Sequence, residues 1–174
     1  MNGSLLVDAF DHHVWATITI LDVCAGLTEE QLQAPVPGTF GPIRDTLEHL
    51  VDADRSYLRV LMGEDPEMDV PATSIDGMRA VMVANGPLWR QLLAGELDPA
   101  RDITRSRPDG STSTAPLTIR LAQVIHHGTD HRSQVCTGLT SLGIEPPEID
   151  VWDFAWKDGR LSETEPTGGA ADAG

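Results

Sequence analysis

Residues 118–142 read TIRLAQVIHHGTDHRSQVCTGLTSL, and the spacing inside this stretch decides the fold. Leu121, Ile125, Val135 and Leu139 recur at helical intervals and form one apolar stripe. Gly143 and the Pro146-Pro147 pair stop the pattern. His127 and His131 are four residues apart, roughly 40° in helical projection, so both imidazoles share one face one turn apart. On the same projection His131 lies about 80° and His127 about 120° to one side of Leu121, at the edge of the stripe. Their neighbours on that edge are Gly128, Gly138 and Gln134; small residues there are expected to leave a hollow. His126 projects to the far side, toward solvent. HxxxH is a spacing with which helices chelate Zn²⁺, although taken alone it also describes two surface histidines. Gly128 stands where an HExxH motif carries its glutamate, so the thermolysin-like base is absent.

Three further helical patterns precede this one. The first spans about residues 4–25, with Leu6, Phe10, Val14, Ile18, Leu21 and Ala25 in its stripe, and Gly26 after it. Thr28 and Gln31 have capping-box spacing for a short turn. The second starts near Gly41-Pro42, where proline suits the first turn, carries Ile43, Leu47, Leu50, Tyr57, Leu58 and Leu61, and closes at Gly63. Pro66 and Pro71 hold the next loop extended. The third spans about residues 74–94, with Ile75, Met78, Val81, Met82, Leu88 and Leu92 inward; Gly86-Pro87 is expected to kink or split it. Between the third and fourth, Ile103–Arg107 and Thr112–Pro116 flank Pro108-Asp109-Gly110, a hairpin signature. After the fourth, Trp152, Phe154 and Trp156 alternate, as an extended segment across the bundle would.

These patterns predict an all-α four-helix bundle of antiparallel type with a long connection, and a small β-hairpin before the fourth helix. Residues 1–160 are expected to form one domain and 161–174 a disordered tail rich in Gly, Ala, Thr and Glu.

The composition limits the function. The 174 residues carry a net charge of −15, which opposes binding to nucleic acid and to anionic lipid. No apolar run reaches the ~18–20 residues of a membrane span. Without the basic start of a secretory signal, the expected location is the cytoplasm. Lys157 is the sole lysine beside eleven arginines, a high-GC coding bias. Cys24 and Cys136 lack CxxC spacing and are expected to be buried, unpaired thiols. No phosphate loop or GxSxG elbow occurs.

The second helix repeats the pattern of the fourth. His49 lies about 120° to one side of Ile43, with Thr46, Ala53 and Ser56 around it. If the two helices are adjacent, their histidines and small residues line one polar cavity. Ligand histidines usually pass their second N–H to an acceptor; Asp45, one turn before His49, and Gln134, beside His131, are the candidates. Arg132 is expected to make a structural ion pair. His13 projects inward near Phe10 and Thr17, as a pocket residue, a fourth ligand or a satisfied buried histidine; His12 is expected to be exposed. The four tryptophans read as core or interface residues.

Thr39-Phe-Gly-Pro-Ile-Arg-Asp-Thr-Leu-Glu-His-Leu-Val-Asp, His126-His-Gly-Thr-Asp-His-Arg-Ser-Gln-Val and Pro146-Pro-Glu-Ile-Asp-Val-Trp-Asp-Phe, in this order and with the hairpin between the first two, resemble the DinB/YfiT-like metalloprotein superfamily. The resemblance spans about residues 5–156. It implies a four-helix bundle that holds Zn²⁺, Ni²⁺ or a similar ion through one histidine of the second helix and two of the fourth, here His49, His127 and His131. It also implies frequent homodimers and, among relatives, transferases and isomerases dependent on mycothiol or bacillithiol; the high-GC bias favours mycothiol. The resulting expectation is a metal-dependent enzyme of the thiol S-transferase or isomerase class, acting on a small molecule or thiol through an open three-His site. The alternatives are a non-catalytic metal-binding or stress-response bundle and a metal-dependent hydrolase.

Overall fold

The computed structural model describes residues 4–63 and 73–164. The loop around Pro66 and Pro71 and positions 165–174 of the expected tail lie outside the described residues. The elements are α1 (Leu5–Cys24), α2 (Glu29–Leu32), α3 (Ile43–Met62), α4 (Ile75–Ala94), β1 (Asp102–Ser106), β2 (Thr112–Pro116), α5 (Leu117–Ser141) and α6 (Val151–Lys157). The protein is therefore an all-α bundle with a two-stranded antiparallel hairpin before its last long helix. Among the described residues no helix is long and apolar enough to cross a membrane.

The four long helices close a ring in which α1 packs on α4, α4 on α3, α3 on α5 and α5 on α1. Three stacked layers fill it. One apolar layer holds Ile20, Leu47, Val51, Met78, Met82, Val135 and Leu139. The other holds Phe10, Leu58, Leu61, Trp89, Leu117, Leu121 and Val124. A polar layer of His13, Thr17, Asp54, Asn85 and Arg132 lies between them, all buried. The order of the layers along each helix gives its direction. On α3 and α4 rising residue number runs from the first apolar layer to the second; on α1 and α5 it runs the other way. Hence α3 and α4 point together, against α1 and α5, which is more specific than the antiparallel bundle expected.

Local signals explain the boundaries. Thr28 and Gln31 form the capping box of α2, and Arg44 clasps Glu29 to hold α2 against α3. Ser74 caps α4 by accepting from the Gly77 N–H. Of the kink or split expected at Gly86-Pro87, the split does not occur: α4 runs through as one element. The carbonyl deprived of its partner by Pro87 belongs to Val83, whose 49% exposure lets water replace the lost bond. Residues Trp152–Trp156 are not extended; they form the helix α6. The Asp150 carboxylate accepts from the N–H groups of Trp152 and Asp153, and Asp153 bonds back to Asp150, so a capping box overrides the alternating aromatics. Phe154 packs on Trp15 and His12, while Trp152 and Trp156 stay exposed. Along α1 the buried face runs through Phe10, His13, Thr17, Ile20 and Cys24; Val14 and Ile18 are only half-buried and line a groove toward α6.

Candidate metal centre

One turn of α5 serves two sides of the bundle. His127 and His131 project from it toward α3 and meet His49, so that one ligand atom from each of the three lies within 4.8 Å of the others. Asp54 and Arg132, on the inner faces of the same two helices, belong to the polar layer. The sequence thus brings the trio together because α3 and α5 are adjacent in the ring.

The Nε2 atoms of His49 and His127 are 3.0 Å apart. Two neutral imidazoles that turn lone pairs toward each other repel unless a proton or cation lies between. Tetrahedral coordination at the usual zinc–imidazole bond length would separate them by about 3.3 Å. The donor set therefore fits a divalent ion. Burial, followed by the proximity of His131 and His49, pushes the His127 pKa down to about 4. Burial and then His131 also lower that of His49. Both are held in the neutral form that metals bind.

Gln134 accepts from the Phe40 backbone N–H at 2.8 Å and faces Nδ1 of His131 at 3.3 Å. That contact turns Nδ1–H toward the amide and leaves Nε2 of His131 as its donor atom. Asp45 is exposed in the first turn of α3; the carboxylate that acts electrostatically on His49 is Asp52 instead. The predicted hollow is only partly where the small residues are. Ala53 and Ser56 of α3 line an open cleft of about 320 Å³ beside His49 and His127. The spaces over Gly128 and Gly138 are filled: a Cβ on Gly128 would lie 2.5 Å from the His13 ring, and one on Gly138 2.7 Å from Ile43.

Three residues near the histidines were not legible as site residues. Phe40 stacks on His49 with ring centroids 4.3 Å apart and meets His131 edge-on. Tyr57 presents its ring to His127, and Arg105 reaches the cleft from β1. Phe40 could have been suspected as a large apolar residue in a loop before Gly41-Pro42. Tyr57 lies one turn beyond Ala53 on the histidine side of α3.

His13 is deep in the bundle and both its nitrogens are engaged. Arg132 Nη1 donates to Nδ1 at 2.9 Å, so Nε2 keeps the proton and donates to Asp54 at 2.9 Å. Asp54 also accepts from Asn85 and Trp89. Arg132 is not in direct ion-pair contact with Asp54; its link runs through His13. Burial lowers the Arg132 pKa to about 10, so it stays charged. His12, expected in solvent, is half-buried and donates to the Ile149 carbonyl at 2.8 Å. Cys24 is buried, Cys136 half-buried, and both are free thiols.

The DinB family profile matches residues 1–166. The chain belongs to the DinB family. No curated protein matches it. Within this DinB bundle the three histidines at the positions implied by the motifs form a group that could hold a metal ion. A larger groove of about 820 Å³ lies between α1, α4 and α6, away from the histidines. Its arginines are already paired with aspartates, whereas the smaller cleft is the one that borders the histidines.

Proposed function

We propose that the protein binds one divalent transition-metal ion, Zn²⁺ before Ni²⁺, through His49, His127 and His131. We further propose that it works as a metal-dependent enzyme of the thiol S-transferase or isomerase class, with a mycothiol-type thiol as cosubstrate. The observation that carries the reading is the convergence of three imidazoles from two helices, two of which, His49 and His127, line an open cleft. Three protein ligands are the number that leaves a position for a reactant. The ion, when bound, supplies Lewis acidity that favours the thiolate over the thiol or polarises a carbonyl.

The chain supplies the rest. Gln134 orients His131, and Phe40 shields His49 and His131 from one side while the cleft admits a small molecule from the other. With no carboxylate in the trio, the donor set adds no negative charge of its own, which suits thiolate as an incoming ligand.

Metal analysis of untagged protein is the first test. About one equivalent of zinc or nickel is expected, and less than about a tenth, unchanged in His127→Ala, would remove the metal reading. Incubation with mycothiol and a panel of electrophiles then tests the reaction. Turnover that is indifferent to His49→Ala and His131→Ala excludes thiol transfer at this site. Because the donors come from both α3 and α5, an ion would also cross-link the bundle, which favours a structural role as the second reading. That reading requires the melting temperature to fall with EDTA.

A further inference from the structure

The cleft beside the histidines has one fixed cation among its described lining residues, Arg105. Its direction is set by the hairpin. Residues two apart in a strand share a face, so Arg105 points the same way as Ile103, which is buried in the bundle core. Arg120 of α5 then fixes the hairpin by donating to the carbonyls of Ile103 and Ser113, at 3.0 and 2.7 Å from Nη2. Ser113 is the cross-strand partner of Arg105 itself. Arg105 is thus held at a definite place relative to His127, two turns further along α5.

Arg105 also differs from four other arginines of the bundle. Arg44, Arg79, Arg90 and Arg160 each pair with a carboxylate. No carboxylate lies within ion-pair distance of Arg105 among the described residues, although the chain has 27 acidic residues. A half-buried arginine with no carboxylate partner among the described residues, lining a cleft, is a ready receptor for a planar anion.

We propose that Arg105 binds a carboxylate of the substrate, so that the natural ligand of the cleft is a small carboxylic acid whose second functional group reaches the three histidines. A carboxylate fits better than a phosphate dianion, because Asp52 stands in the same cleft and repels the second charge. Ser56 and Tyr57 line the cleft as well and add hydroxyl groups. The inference rests on the metal reading above and adds the substrate class to it.

The test uses untagged, cobalt-loaded protein titrated with mercaptoacetate and mercaptobutyrate and with the corresponding amides, followed by the thiolate-to-cobalt absorption band. At least one of the two acids should bind about tenfold more tightly than its amide. Arg105→Gln should abolish that preference and leave amide affinity unchanged, and Arg105→Lys should restore part of it. Equal affinity of acids and amides in the unsubstituted protein, a comparison that needs no variant to fold, overturns the inference and leaves the metal reading standing. So does a loss in Arg105→Gln that falls on acid and amide alike. Failure to take up cobalt overturns both.

Discussion

His13 and His127 sit on either side of one turn of α5 and are held in opposite ways. The His13 ring lies over Gly128 in the core with a donor, Arg132, on one nitrogen and an acceptor, Asp54, on the other. His127 faces outward across the helix, and its Nε2 meets the same atom of another histidine. The first arrangement is complete without any added group. The second brings like groups together, with no carboxylate or guanidinium among them. The difference teaches that burial alone does not identify a functional histidine. What distinguishes the site is that its histidines meet one another, rather than an acid or an arginine, beside a cleft that a ligand could enter.

The comparison can be broken from the core side first. Asp54 accepts from His13, Asn85 and Trp89 in a layer sealed between two apolar ones. Replacing it with alanine leaves buried donors and the Arg132 charge uncompensated, and should cost about 3–5 kcal/mol in chemical denaturation. The folded fraction should still take up metal. A loss below about 1 kcal/mol would mean that Asp54 does not anchor the polar layer.

His127→Ala should do the reverse. Metal affinity, read by competition with a chromophoric chelator, should fall at least about a hundredfold, since even changes behind a ligand cost ten- to a hundredfold. The stability of the metal-free protein should move by no more than about 1 kcal/mol. Gly128→Ala probes the turn that separates the two clusters. Its methyl would meet the His13 ring at 2.5 Å and Arg132 at 2.9 Å, and that ring is pinned at both nitrogens. A net loss of about 1–3 kcal/mol is expected from overpacking, in spite of the roughly 1 kcal/mol that alanine contributes to helix propensity. A stabilised Gly128→Ala protein would show that His13 is free to move. The smallest effect belongs to Gln134→Ala, which should weaken metal binding about tenfold by releasing Nδ1 of His131 and the Phe40 backbone; equal affinity would remove Gln134 from the site.

The metal trio was readable because a helix displays its own face in its sequence: the HxxxH pair and His49 each fall at a stripe edge, and the motif order that marks the family places them on α3 and α5. The polar layer was not readable. His13, Asp54, Asn85 and Arg132 come from four different helices, and only the ring order and the common direction of α3 and α4 bring them to one level. The same limit hid Arg105, whose role depends on which face of the hairpin meets the bundle. It also misdirected the hollow: Gly128 and Gly138 look like empty space in a sequence, whereas tertiary packing fills them with His13 and Ile43. At α6 the error was local. The alternating Trp152, Phe154 and Trp156 suggest a strand, but Asp150 and Asp153 supply the hydrogen bonds that start a helix.

The three donors are divided between two helices, and that division makes the site a gauge of the gap between them. The position of Gly138, nearly two turns beyond His131, sets how closely α5 approaches Ile43 at the start of α3. A methyl added there would act as a wedge far from any ligand, yet the spacing of His49 from His127 would register it. Affinity for an ion would in this sense be a long-range readout of core packing. Conversely, loading the site would draw α3 and α5 toward a single separation and transmit that choice to the seam they share.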